Sequence, residues 1–338
     1  MTRFLIRRIL LGLLVMWFVT VAVFFIFFDL NSSGPESVAH RLGGRQATPQ
    51  TIHLIEQRLH LKDPLPKQYW YFLFGYPGKD IPNGPPVNHG ILHADLGYSY
   101  INGESVNHKL ADAFPITFSL ALGAAVLWLG MGLLSGIWSA IRPRSLLDRG
   151  FTFTALFFYS FPTFVLGYVL LLVLYYYLTK SGHAWFPAGT YVGFTDNPWQ
   201  WARHLLLPWF TLAAVTAAAY TRLTRGSMLD VLGEDYIRTA RAKGLSERRV
   251  IFRHGLRAAL TPIVTQFGID LGSLLGGAVL TEGVFSLPGV GKLSIDAIGT
   301  NDLPVIMGTV LIAATFIIFA NLVVDIVYAL LDPKVTYS

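Results

Sequence analysis

Six stretches poor in charge limit what this chain can fold into. Residues 9–28, 113–141, 151–179 and 205–221 contain no Asp, Glu, Lys or Arg, and residues 260–281 and 303–331 contain one acid each, Asp270 and Asp325. A helix needs about 20 apolar residues to cross the hydrocarbon of a bilayer. Inside that layer every backbone N–H and C=O must be satisfied within the segment, so such runs take the form of helices. Five of the six runs reach the required length. The fourth is shorter, but His204 and Arg222 at its ends can extend to the headgroups. With 53% apolar and 14% charged residues over 338 positions, the chain is also too apolar for a water-soluble protein of its size. The expected fold is an all-α integral membrane protein with six transmembrane helices.

Orientation follows from the basic residues. A net charge of +6 would suit a nucleic-acid partner, but the basic side chains track topology instead. Residues 1–8, 142–150, 222–259 and 332–338, placed on one side, hold 16 of the Lys and Arg residues in 62 positions; the other side holds 10 in 130. Basic loops stay in the cytoplasm, so both termini and the 222–259 loop are expected inside, with no nucleic-acid role. The chain then divides into a tail and first helix (1–28), a long extracytoplasmic segment (29–112), a five-helix core (113–331) and a cytoplasmic tail (332–338). Arg3, Arg7 and Arg8 ahead of the first run look like a secretory signal, but the run is too long and no small-residue cleavage site precedes Asp29. Absence of cysteine rules out disulfides and thiolate metal sites.

The extracytoplasmic segment has 84 residues, seven basic and eight acidic, and is too long for a bare connector. Thr48 and Pro49 form a helix start ahead of IHLIEQRLHL, and PKQYWYFLF has the pattern of a helix lying at the membrane surface. Residues 75–90 are dense in Pro and Gly and predict an irregular loop. Six of the nine histidines fall in this segment, but only His89 and His93 are spaced like ligands on one helix turn, and they lie in a Gly-containing stretch. Solvated loop histidines are expected, with no metal site.

The polar run 222–259, RLTRGSMLDVLGEDYIRTARAKGLSERRVIFRHGLRAA, holds two short helices. Tyr236, Ile237, Ala240 and Gly244 share one face at helical spacing, Gly244 suits a C-terminal cap, and Ser246 suits the start of the next helix. Ala240 and Gly244, four apart, leave a notch where another protein could approach, flanked by Arg238, Arg241 and Lys243. This stretch resembles the cytoplasmic loop of ABC importer permeases, E-A-A, three residues, Gly, nine residues, I-x-L-P, and a second Pro five positions on. Ala240, Gly244, Leu256 and Pro262 match, whereas Arg238 and Thr239 replace Glu and Ala, His254 replaces Ile and Arg257 replaces the first Pro. These departures are those of the dipeptide and oligopeptide permeases. The same branch is similar at Asp95, Leu96, Gly97 and Ser99 of a G-D-L-G-x-S segment, with Ala94 in place of the first Gly, and at Pro115 and Thr117. It is similar again over EGVFSLPGVGKL (282–293), at Asp302 and Pro304, and at the ending NLVVDIVYALLDP.

The resemblance implies a type I ABC importer permease subunit that catalyses nothing itself. It implies a homologous second permease, two ATP-binding subunits carrying ATP and magnesium, and an extracytoplasmic substrate-binding protein in a bacterial cytoplasmic membrane. The implied cargo is a dipeptide or oligopeptide, with nickel chelates or glutathione as alternatives under the same mechanism and a stand-alone ion-coupled transporter as a competing class. Coupling to the ATPases falls on Arg238, Thr239, Ala240, Lys243, Gly244, Leu245 and Ser246. PGVGKL is a poor phosphate loop, with Ser286 at the first Gly position and Leu293 where Ser or Thr binds magnesium. Three residues are candidates for the substrate pathway. Asp270 is a carboxylate inside a span, placed either to face the pathway or to pair helices across the bundle; Pro162 should kink the third helix and free a carbonyl, beside the pathway or as a purely structural kink; and Glu282 opens the matched external motif.

Overall fold

The computed structural model describes residues 2–26, 48–58, 60, 62–75, 89–99 and 101–331. The tail at 332–338, the start of the extracytoplasmic segment and most of the Pro/Gly-rich stretch lie outside the described residues. The helices are α1 (Thr2–Phe25), α2 (Pro49–Arg58), α3 (Leu65–Phe74), α4 (Val106–Ile141), α5 (Leu146–Tyr159), α6 (Thr163–Lys180) and α7 (Pro198–Leu232). They continue with α8 (Asp235–Ala242), α9 (Leu256–Phe285), α10 (Val290–Thr300) and α11 (Leu303–Leu331). Among the described residues, five are long and apolar enough to cross a membrane: Ile6–Phe25, Val106–Ile141, Thr163–Lys180, Pro198–Leu232 and Leu303–Ile326. The sixth expected span, 260–281, lies within α9, a helix of 30 residues.

Three expectations need correction. The third run is broken at Pro162, not kinked: α5 stops at Tyr159 and Pro162 takes an extended conformation (φ −58°, ψ 136°) as the cap of α6. A proline has no N–H to donate and its ring disfavours helical geometry in the residue before it, so the ladder ends there and restarts when the Pro162 carbonyl accepts from Leu166 N–H at 3.1 Å. The fourth run, 205–221, is the middle of a 35-residue helix, because charged residues end an apolar run without ending a helix. For the same reason the polar stretch 222–259 is mostly helical. Its beginning extends α7 to Leu232 and its end starts α9 at Leu256.

Two compact units divide the chain, one comprising Met1–Phe114 with Leu293–Ile318, the other Pro115–Lys292 with Phe319–Ser338. In the first, α3 packs on α1 through Phe72 against Val23 and Phe24, and the Thr20 and Tyr69 hydroxyls meet at 2.9 Å. Its D-L-G-Y-S turn is held by Asp95, which accepts from the N–H groups of His89 at 2.8 Å and Gly97 at 2.9 Å. Ala94, at the position of the expected Gly, has φ +57°.

In the second unit α7 packs extensively on α5 and α9. Its core gathers Leu120, Trp128, Leu205, Tyr220, Ile263 and Leu287, all almost fully buried. Helix faces in lipid gain little from apolar burial alone, so close approach between small residues counts for more. A Cβ on Gly132 would lie 2.4 Å from Tyr220 Cβ, and one on Gly136 2.5 Å from Thr224 Cβ, so α4 and α7 touch only because both are glycine. Gly130, on the same helix, faces open space.

Candidate functional site

The turn after α8 is built to be presented. Leu245 N–H reaches the Ala240 carbonyl and Gly244 N–H the Arg241 carbonyl at 2.9 Å, the paired closure of a Schellman cap, with Gly244 at φ +75°. Ile237, Ala240 and Val250 form a small core beneath the turn, and Arg241 clasps Glu247 at 2.8 Å. Arg238, Thr239, Lys243, Gly244 and Ser246 are exposed, and Leu245 is half-buried. A Cβ on Gly244 would meet nothing within 4 Å. The shared face expected for Tyr236, Ile237, Ala240 and Gly244 is split: Ile237 and Ala240 point inward, whereas Tyr236 and Gly244 are exposed. Ala240 is therefore part of the turn's own core and not the floor of an open notch. Ser246 stands at the start of the following turn but makes no side-chain cap bond.

Below the turn, Ile251 and Ala259 pack on Ile137, Ala140 and Met228, fixing the start of α9 to the ends of α4 and α7. Sequence reasoning missed the main polar contact here. Asp148, in the first turn of α5 and buried, receives two hydrogen bonds from the Arg225 guanidinium at 2.8 and 3.0 Å and one from Arg144 N–H at 2.8 Å. The Arg225 guanidinium holds the Asp148 carboxyl well below the usual range, at about 2. The S-x-x-D spacing from Ser145 marks this helix start, and Ser145 Oγ does accept from Asp148 N–H. Nothing in the sequence points to Arg225.

Glu282, at the end of α9, is fully buried. It accepts from Thr117 Oγ1 at 2.6 Å and from Lys292 N–H at 2.9 Å, while Val290 N–H donates to the same Thr117 hydroxyl at 2.8 Å. Gly291 N–H also donates to the carboxylate. The segment that imitates a phosphate loop thus wraps the chain's own anion: the amides that could cradle a phosphate are taken by Glu282. A Cβ on Gly289 would stand 2.3 Å from Glu282 Oε1, so only glycine lets the loop close this far. In the first unit the same device joins Ser99 of the D-L-G-Y-S turn to the buried Asp302 carboxylate. Glu282 is held as an anchor of its loop.

Asp270 accepts from the Tyr220 hydroxyl at 2.8 Å and from Gln266 Nε2 at 3.0 Å, which ties α9 to α7. Pro162 lies at the break described above. The Asp270 pair and the turn at Gly244 are separate features of the same unit.

Long apolar helices with basic turns between them are the mark of an integral membrane protein. The chain belongs to the family of binding-protein-dependent transport system inner membrane components, whose sequence profile matches residues 132–337, with the N-terminal profile of such components matching residues 1–121. Over all 338 residues, and the full length of the relative, it is 36% identical to the glutathione transport system permease protein GsiC of Escherichia coli O6:H1. It is 41% identical over 250 residues, 73% of this chain and 78% of the relative, to the oligopeptide transport system permease protein AppB of Bacillus subtilis (strain 168). The fold is similar to that of a chain in inward-facing crystals of the MetNI methionine ABC transporter, with a TM-score of 0.51 at 18% identity, covering 67% of this chain and 97% of that one. The protein is thus an integral membrane permease component of an ABC importer.

Proposed function

We propose that this chain is one of two homologous permease subunits of an ATP-driven importer of dipeptides or oligopeptides in a bacterial cytoplasmic membrane. It spans the membrane six times with both termini inside, and its division at 28, 112 and 331 follows that topology. Two ATP-binding subunits carry the nucleotide and magnesium, and an extracytoplasmic binding protein delivers cargo. The observation that carries the reading is the exposed, internally braced turn at Arg238, Thr239, Lys243, Gly244 and Ser246 in a chain of this family. Ala240 and Leu245 act beneath it by holding its shape. ATPase movement is transmitted through the turn to α7 and α9. Asp270 and Pro162 contribute to the pathway, and Glu282 acts at its outer end by anchoring the 287–292 loop.

The Gly244 position separates backbone from contact. Asn enters the left-handed region far more readily than other residues with a side chain, so Gly244→Asn keeps the cap, with a cost of about 1 kcal/mol or less. If an ATPase surface packs against the bare backbone, Gly244→Asn and Gly244→Asp both lower ATPase co-purification and uptake while leaving membrane insertion intact. Normal co-purification and uptake in both variants would remove the turn from the mechanism. The similarity to a glutathione permease supports a second cargo. Uptake of labelled dialanine, a labelled pentapeptide, glutathione and nickel in cells with and without this chain decides between them.

A further inference from the structure

Asp148 and Arg225 occupy a position that the turn alone does not account for. Arg225 lies on the extension of α7 beyond its apolar middle, between the bundle and α8. Asp148 begins α5, the helix that runs to the break at Pro162. Their contact is bidentate, Nε to Oδ1 and Nη2 to Oδ2, and Asp148 has only 6% of its side chain exposed against 33% for Arg225. A forked pair of this kind fixes direction as well as distance, unlike a single ion contact between flexible side chains. The third bond, from Arg144 N–H, comes from a residue at φ +63°, so the bend between α4 and α5 is fastened to the same carboxylate.

We infer that Asp148 and Arg225 form a transmission clamp: displacement of α7 by the ATPase-facing turn is passed to the start of α5, and through it to the segment that ends at Pro162. Neither residue touches cargo, and both are positioning residues. The inference rests on the coupling role of the turn and adds a second route by which α7 moves the bundle. Without the clamp, α7 can move while the α4–α5 bend stays in place, and ATP is hydrolysed without a matching opening.

The test uses the whole transporter, with partner permease, ATPases and binding protein, in proteoliposomes. Uptake of labelled trialanine and of labelled glutathione is measured beside ATP hydrolysis for D148N, R225M and the double variant. Each single variant is expected to lower cargo moved per ATP by about fivefold or more, the lower end of coupling between sites. The double variant is expected to be no worse than either single one, because both remove the same contact. A structural role alone would lower uptake and hydrolysis in proportion to assembled complex, with their ratio unchanged, and that result overturns the clamp. Gly244→Asp runs alongside: if it uncouples while D148N keeps the wild-type ratio, the clamp fails and the turn stands. If Gly244→Asp also keeps that ratio, the coupling reading itself fails.

Discussion

Replacing Glu282 removes the acceptor around which the 287–292 loop is closed, and the size of the effect can be worked from its partners. In Glu282→Ala the Gly291 and Lys292 amides lose their acceptor in a site closed to solvent. A buried donor left without a partner costs about 1–3 kcal/mol. The Thr117 hydroxyl can turn elsewhere while still accepting from Val290 N–H, so it adds little. Two stranded amides and the vacated side-chain volume, less the relief of freeing a buried acid, give roughly 3–5 kcal/mol, the usual cost of breaking a buried charged network. For a unit of this size each kcal/mol moves the midpoint by about 2–4 °C, so thermal unfolding of the purified transporter should drop by roughly 6–20 °C. Glu282→Gln keeps one acceptor oxygen but turns an NH2 group towards a donor, and should fall between Ala and wild type. The assay is intrinsic fluorescence on heating at a fixed scan rate, since membrane protein unfolding is commonly irreversible. A Glu282→Ala midpoint within about 1 °C of wild type, against the shift expected at 2–4 °C per kcal/mol, would refute the anchor reasoning. So would Gln proving worse than Ala.

Three further outcomes are expected. Ala94→Gly relieves a side chain held at φ +57° and should raise stability by about 0.5–1 kcal/mol, with a thermal midpoint at or below wild type counting against the strained turn. Asp270→Asn should lower uptake of peptides with a free amino end more than of amino-blocked ones. Equal loss together with poor assembly would confine Asp270 to pairing α7 with α9 through Tyr220. Because the Arg225 guanidinium lowers the Asp148 carboxyl to about 2, its stabilising effect is complete above the ordinary value of 3.8 and is lost as the pH falls through about 2. The midpoint difference between wild type and Asp148→Asn should therefore shrink between pH 4 and pH 2, and a constant difference would deny Asp148 that role.

How far the fold could be read from the sequence depended on the range of the interaction concerned. Apolar runs are local, so the long helices could be read, and so could α8 with its cap at Gly244, because a Schellman closure involves only neighbouring residues. Helix ends marked by charge could not, since Arg222 and Arg225 end an apolar run but are good helix formers. Pro162 showed where the third run would be disturbed, but whether a proline kinks or ends a helix depends on what packs beside it. The partners of the acids were hidden for a different reason. Glu282 meets Thr117, Asp302 meets Ser99 and Asp148 meets Arg225 across separations of 165, 203 and 77 residues. Both members of the first two pairs lie in segments recognised separately by family resemblance, without any sign that they touch.

The coupling proposed for the exposed turn asks that so small a turn be stiff. A turn that receives force from another protein transmits it only if it yields less than the helices it pushes. Here α7 runs without a break to Leu232, three residues before α8 begins at Asp235. The turn is then stiffened from within by the Ile237–Ala240–Val250 core, the double carbonyl closure at Ala240 and Arg241, and the Arg241–Glu247 bond. None of these is large, since an exposed ion pair contributes about 0–1 kcal/mol. They act on one short stretch, however, so removing one lets local opening absorb displacement that would otherwise reach α7 and α9. Under the coupling role proposed for the turn, the side chains most important to transmission are the buried ones, Ile237 and Val250, although an ATPase surface would meet only the exposed ones.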